Sequence, residues 1–201
     1  ICPRCECAYT CALFSCEMDI CLFACKILSF MKTLKIYIAG PDVFKIDSIA
    51  IGKKYTNICT KYGYIGMYPL DNIIDFNQAK QKIAQDIFVA NKELIEQCDI
   101  VVANLNPFRG KEADSGTIWE CGYAKGLGKK VYGYMGTGLS YLDQFCENEK
   151  QIRENIYVDN EGKVIEDFNY PINLMIACSV EKIVVGGFED CINAFQNKKN
   201  I

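Results

Sequence analysis

Asp114 and Glu120 stand six residues apart across a tight turn, Asp114-Ser115-Gly116-Thr117, where both can serve one cleft. Two carboxylates so placed suit glycosyl-transfer chemistry, in which one attacks carbon and the other handles a proton. Glu120 is expected in the opening turn of a helix capped by Ser115 or Thr117. Free backbone N–H groups and the positive end of the helix dipole would then favour its ionised form, and hence a nucleophile. An acid in a first helical turn can equally do no more than complement the dipole, so position alone leaves both readings open. The chain of 201 residues contains no histidine. That removes Ser-His-Asp and Cys-His chemistry and leaves acid–base work to Asp, Glu, Tyr, Cys or Lys.

Other side chains could complete such a site. Tyr37, at the end of the first strand, can donate a hydrogen bond that orients a carboxylate, or it is an ordinary strand aromatic. Phe44 in the following loop can stack on a planar base or simply pack. Asp42 can accept from an exocyclic amine or hold its own turn. Asn91 falls on an otherwise apolar helical stripe, so it needs a specific partner, structural or substrate, when buried. Arg109 can bind an anion or pair with Glu112.

The elements that must position these groups follow from the pattern of apolar residues. Short apolar strands are expected at 34–39, 64–68, 99–105, 131–134 and 183–185. Helices are expected from Asp47, as a cap, to about Tyr62 with Gly63 as its stop; from Asn77 to about Gln97; from the Asp114 turn to Gly126 or Gly128; at 171–177; and at 188–196. Residues 141–170 read as polar loop with a short ribbon around 158–164. Alternating strands and helices imply an α/β fold of the doubly wound, Rossmann-like kind, with a mainly parallel five-stranded sheet covered by helices on both faces. Ligands bind such sheets outside the carboxyl ends of the strands, where the 99–105 strand delivers the acidic turn.

Composition narrows the function classes. Half the chain is apolar, 23% is charged and the formal net charge is -3, which argues against a nucleic-acid partner. No Gly-x-Gly-x-x-Gly follows the first strand and there is no Gly-Lys-Ser/Thr loop; the Gly-rich stretch at 133–138 leads into no clear helix. No cofactor is expected. Seven of the 13 cysteines lie before Met31. Among them Cys2 and Cys5 form one Cys-x-x-Cys pair without a second pair, so no metal site is expected. The apolar stretch 20–30 is interrupted by Lys26 and is too short for a membrane span. Residues 1–30 read as a Cys-rich extension without catalytic role, outside the native product, ahead of a working domain at 31–201. The six dispersed cysteines of that domain suit a reducing compartment, and a cytoplasmic location is expected.

These residues resemble the nucleoside 2-deoxyribosyltransferase family over roughly residues 34–196. The resemblance rests on Ile36-Tyr37-Ile38-Ala39-Gly40-Pro41-Asp42-Val43-Phe44, Pro69-Leu70-Asp71-Asn72, Cys98-Asp99 with Asn104-Leu105, Pro107-Phe108-Arg109-Gly110, Asp114-Ser115-Gly116-Thr117, Glu120-x-Gly122-Tyr123-Ala124 and Pro171-Ile172-Asn173-Leu174-Met175. It implies a flavodoxin-like domain, acting in purine salvage, that moves 2-deoxyribose between nucleobases. Glu120 would attack C1′ and form a deoxyribosyl ester, so that two inversions retain configuration. By the same resemblance Asp114 protonates the leaving base and Tyr37 positions the nucleophile. Asp42, Phe44, Asn91, Arg109, Gly116, Asn173 and Met175 would bind substrate. Asn173 would reach a neighbouring subunit's site, which implies a homodimer or higher homo-oligomer with nucleosides and nucleobases as its small-molecule partners. Asn91 stands where some members, chiefly those accepting pyrimidines, have an aspartate, and the Pro-Phe-Arg-Gly loop is similar to the purine-preferring branch. The competing expectations are an N-glycosidase acting on 2′-deoxynucleoside 5′-monophosphates and a non-catalytic nucleotide sensor.

Overall fold

A computed structural model describes residues 32–196; the expectations for residues 1–30 lie outside the described residues. Five parallel strands, β1 (Lys35–Ala39), β2 (Ile65–Met67), β3 (Ile100–Asn104), β4 (Lys130–Met135) and β7 (Lys182–Val185), form one sheet in the order β2-β1-β3-β4-β7. Counted along the chain this is the 2-1-3-4-5 order of flavodoxin-like folds. β3 reads IVVAN and is buried throughout, the near-continuous apolar run expected of a central parallel strand. Among the described residues five α-helices follow the same chain order: α1 (Ser48–Lys61), α2 (Lys80–Gln97), α3 (Ser115–Gly126), α4 (Leu174–Ala177) and α5 (Phe188–Gln196).

Side-chain alternation along β1 decides which residues meet which helices. Ile36 and Ile38 join Val102 and pack with Cys59 of α1 and with Phe188, Ile192 and Phe195 of α5. Tyr37 and Ala39 turn to the other face with Val101, Ala103 and Leu105, against Ile95 of α2 and Cys121 and Ala124 of α3. The single residue of offset between Ile36 and Tyr37 thus aims the tyrosine at α3. α1 approaches the sheet end closely because Gly52 has no side chain. A Cβ there would fall 2.3 Å from the Tyr68 ring.

Several boundaries differ from expectation. α2 begins at Lys80 and not Asn77, because Asp75 Oδ1 accepts from the Asn77 backbone N–H and holds that stretch in a bend. Asp47 occupies the cap position of α1 but its side chain makes no capping bond. The short helix begins at Leu174, after an Asn173 cap, and not at Pro171. Residues 141–170 contain an antiparallel hairpin of β5 (Lys150–Arg153) and β6 (Ile156–Asp159), turned by Glu154 and Asn155 at φ 50 and 66. The ribbon expected around 158–164 amounts to one bridge between Val158 and Val164. No helix among the described residues is long and apolar enough to cross a membrane.

Candidate active site

The loops after β1 and β3 diverge at the point where the strand order reverses, and a cleft of about 510 Å3 opens beside them. That volume suits a small organic ligand. Gly40 and Phe44 line it from the β1 loop, Leu70 and Asn72 from the turn after β2, Ile87 and Asn91 from α2, and Asp114, Gly116, Thr117 and Glu120 from the start of α3. Ile49, Ile74 and Phe76 add to a wall that is mainly apolar.

The cap of α3 is Asp114 itself, one residue ahead of Ser115 and three ahead of Thr117, the two expected caps. Its Oδ2 accepts from the Thr117 backbone N–H at 2.8 Å and from the Thr117 hydroxyl at 2.9 Å. Oδ1 makes no hydrogen bond among the described residues. Gly116 fits beneath this cap because a Cβ there would lie 3.1 Å from Oδ2.

With Ser115 as the first helical residue, Glu120 is the sixth and lies in the second turn, beyond the free N–H groups. The dipole favours an anion only within the first turn, so that part of the expectation does not hold. Burial instead raises the Glu120 pKa to about 7; the Tyr37 hydrogen bond pulls it down and nearby Asp114 pushes it up, both more weakly. Tyr37, fully buried on the face that meets α3, donates its hydroxyl to Glu120 Oε1 at 2.5 Å. Burial, and then the charge of Glu120, raises the Tyr37 hydroxyl far above its ordinary range, so it acts as a fixed donor. Glu120 Oε2 has no hydrogen-bond partner among the described residues.

The remaining predicted residues divide. Phe44 lines the cleft and stacks on Phe108 with ring centroids 5.4 Å apart. Arg109 neither lines the cleft nor pairs with Glu112; its guanidinium lies 4.7 Å from the Phe108 ring centre and 5.6 Å from that of Phe44, in cation–π contact. Glu112 instead accepts from Tyr141. Asp42 is buried beneath the loop, where it takes a 2.9 Å hydrogen bond from Asn104 Nδ2 and an ion pair at 2.6 Å from Lys45. It holds its turn and does not line the cleft. Asn104 Oδ1 in turn accepts from Asn106, and Asn106 Oδ1 accepts from the Gly136 N–H, so one polar string ties the loops after β1, β3 and β4 together. Asn91 lines the cleft and accepts from Asn72 at 3.2 Å. Asn173 and Met175 do not line their own chain's cleft: Asn173 caps α4 and donates to Glu166 at 2.6 Å, while Met175 is 72% exposed.

Sequence reasoning missed Asn72 and the apolar wall of Ile74, Phe76 and Ile87. Asn72 had a positional signal, since it ends the turn directly beyond β2 at the carboxyl edge of the sheet. Phe76 had none, because it lies in irregular chain without period.

The family model described as nucleoside 2-deoxyribosyltransferase matches residues 36–175. The chain is similar to the solved structure of a 2-desoxiribosyltransferase from Leishmania mexicana, at 27% identity and a TM-score of 0.63, covering 82% of this chain and 97% of that one. A 2-deoxyribosyltransferase from Bacillus psychrosaccharolyticus matches in fold at 23% identity and a TM-score of 0.51, covering 78% of this chain and 88% of that one. An uncharacterized protein of Schizosaccharomyces pombe is 28% identical over 119 residues, 58% of this chain and 56% of its own length, so the match spans about half of that relative. On the strength of a family match that runs through β1, the acidic turn and the Asn173 cap, the chain belongs to the nucleoside 2-deoxyribosyltransferase family.

Proposed function

We propose that this protein transfers 2-deoxyribose from one nucleobase to another through a covalent ester on Glu120. A nucleoside lies in the cleft with its base between the apolar walls and over Phe44, and its C1′ at the Glu120 carboxylate. Glu120 Oε2 attacks C1′ while the C1′–N bond breaks, and the bond pair leaves with the base. Asp114 supplies a proton to the departing base from Oδ1, the oxygen its capping bonds leave unused. A second base then attacks C1′ from the opposite side and gives its proton to Asp114. The ester C–O bond breaks, its electron pair returns to Glu120, and two inversions retain the β configuration. A proton affinity near neutrality makes Glu120 a stronger nucleophile than an ordinary carboxylate while leaving it able to depart from the ester. Asn173 of a neighbouring copy completes the sugar pocket in this reading, which makes the working unit a homodimer or larger. The aromatic loop around Phe44 and Phe108 favours purines.

The observation that carries the reading is Glu120 on the cleft wall with one oxygen clamped by Tyr37 at 2.5 Å and the other unspent. Trapping with a 2-fluoro-arabinosyl nucleoside followed by peptide mass spectrometry tests it. Label on Glu120 is expected. Label on another residue, or none while turnover continues, would end the covalent proposal. Incubation with deoxyinosine, with and without adenine, separates the alternatives. Product only with adenine marks a transferase, equal base release without it marks a hydrolase, and binding without turnover marks a sensor.

A further inference from the structure

Asp42 lies in the single turn Pro41–Phe44 and is 2% exposed, yet it carries a carboxylate. Its two oxygens are held from different elements. Oδ2 accepts from Asn104 Nδ2 of β3 at 2.9 Å and from the Tyr55 hydroxyl of α1 at 3.4 Å. Oδ1 has the Lys45 ammonium at 2.6 Å and, among the described residues, no hydrogen bond besides. A buried charge is tolerated when it is paired, and stripping away its partner costs far more than an exposed pair gains. Lys45 reaches Asp42 from three residues on, with 58% of its side chain in solvent. Tyr55 has its ring stacked on Phe188 at 4.4 Å and its hydroxyl 3.5 Å from that of Tyr134. Neither Lys45 nor Tyr55 lines the cleft, but Gly40, Val43 and Phe44, the neighbours of Asp42 in the chain, all do.

Resting on the reading that a nucleoside occupies this cleft, we infer that Lys45 and Tyr55 are positioning residues for sugar transfer: acting through Asp42, they fix the turn that carries Phe44 to the base. Without Lys45, Asp42 Oδ1 is left in the interior with no counter-charge. Bringing that oxygen to water requires the 41–44 turn to rotate, because the backbone of Asp42 is part of it. Phe44 ends the same short turn and moves with it. Asp114 and Glu120 stand on the cap and body of α3, and Tyr37 stands on β1, so the reacting groups keep their places. The loss therefore falls on the hold over the base and not on the bond-making step. In kinetic terms, an interaction made equally in ground state and transition state raises KM when it is lost and leaves kcat in place.

Steady-state kinetics with deoxyadenosine as donor and hypoxanthine as acceptor, together with calorimetric binding of adenine, test this in Lys45→Met, Lys45→Arg, Tyr55→Phe and the Lys45→Met/Tyr55→Phe double variant. Lys45→Met keeps the length and drops the charge; it is expected to raise KM and weaken adenine binding by roughly tenfold, with kcat within about threefold of the parent. Lys45→Arg keeps the charge and recovers most of that loss. Tyr55→Phe raises KM by roughly threefold, and the double variant falls short of the product of the two single effects, because both act through one carboxylate. An unchanged KM and adenine affinity in Lys45→Met overturn the inference and leave the proposed function standing, as does a fall in kcat that Lys45→Arg fails to recover. Should Lys45→Met not fold, an unchanged KM in Tyr55→Phe overturns it in the same way. A wild-type protein that binds adenine but transfers no sugar overturns the function, while the adenine affinities of the variants still decide the role of Lys45. A wild-type protein that binds no nucleobase overturns both.

Discussion

Replacing Glu120 by Gln should abolish sugar transfer and at the same time make the fold more stable at alkaline pH. Gln has nearly the shape of Glu and keeps an acceptor oxygen for the Tyr37 hydroxyl, so the 2.5 Å contact survives in kind. What it removes is the need to ionise inside the fold. Burial lifts the Glu120 pKa from 4.5 to about 7, and a tenfold change in proton affinity is worth 1.36 kcal/mol, so ionising Glu120 costs the folded state roughly 3 kcal/mol. The sign follows from the raised value. Below pH 4.5 the carboxyl is neutral whether the chain is folded or not, and charge contributes nothing to the difference between the two proteins. As pH climbs from 4.5 to 7 the unfolded chain gives up its proton first, and the parent loses stability relative to the variant. Above pH 7 the gap stays constant. For a domain of this size the full gap corresponds to about 6–12 °C in Tm. Urea unfolding of both proteins at pH 4.5, 6, 7 and 8 reads the gap directly. Stability curves that run parallel across that range would refute the claim that Glu120 is held in an environment hostile to its charge.

Tyr37→Phe removes the hydrogen bond that pulls the Glu120 pKa down, so it rises further; the acid limb of kcat/KM against pH should move to higher pH, and an unmoved limb would detach Tyr37 from the nucleophile. For Asp114→Asn the cap oxygen remains, so Tm should hold nearly constant while transfer slows, less so for bases that leave readily; an equal loss for every base argues against proton donation. Asp114→Ala also loses the cap and should cost a further 0.5–2 kcal/mol or so in denaturant unfolding. Gly52→Ala forces a methyl to within 2.3 Å of the buried Tyr68 ring and should destabilise the domain by about 1–3 kcal/mol in thermal melts, whereas unchanged stability would mean that α1 shifts freely on the sheet.

The parallel core was legible because burial on both faces leaves an unmistakable imprint: 100–103 is apolar without a break, and helical punctuation separates it from 35–39 and 130–135. The closing helix at 188–196 announced itself through Phe188, Cys191, Ile192 and Phe195 on one face. The 150–159 hairpin did not. Its turn needs two positive φ angles, and Glu154 is a poor advertisement for one of them. Within the site, Tyr37 and Glu120 could be paired from chemistry, but the environment of Glu120 could not. That depends on which residue caps α3: with Thr117 as cap the carboxylate would lie in the first turn among the free N–H groups, and with Asp114, three positions earlier, it lies in the second, packed turn. Asp42 shows the same limit. A turn aspartate can face ligand or protein, and only the position of Asn104, 62 residues away, decides between them.

The string from Asp42 through Asn104 and Asn106 to Gly136 has a bearing on how this protein ages. Its links are amide nitrogens, and hydrolysis of an asparagine side chain turns such a nitrogen into an acidic oxygen. At Asn104 that lesion would press a second carboxylate against Asp42 at the present 2.9 Å, where the two cannot both stay ionised. Three strands would then lose their common fastening at the rim, with the sheet beneath them intact. A preparation could therefore keep its secondary structure in storage while its activity drains away.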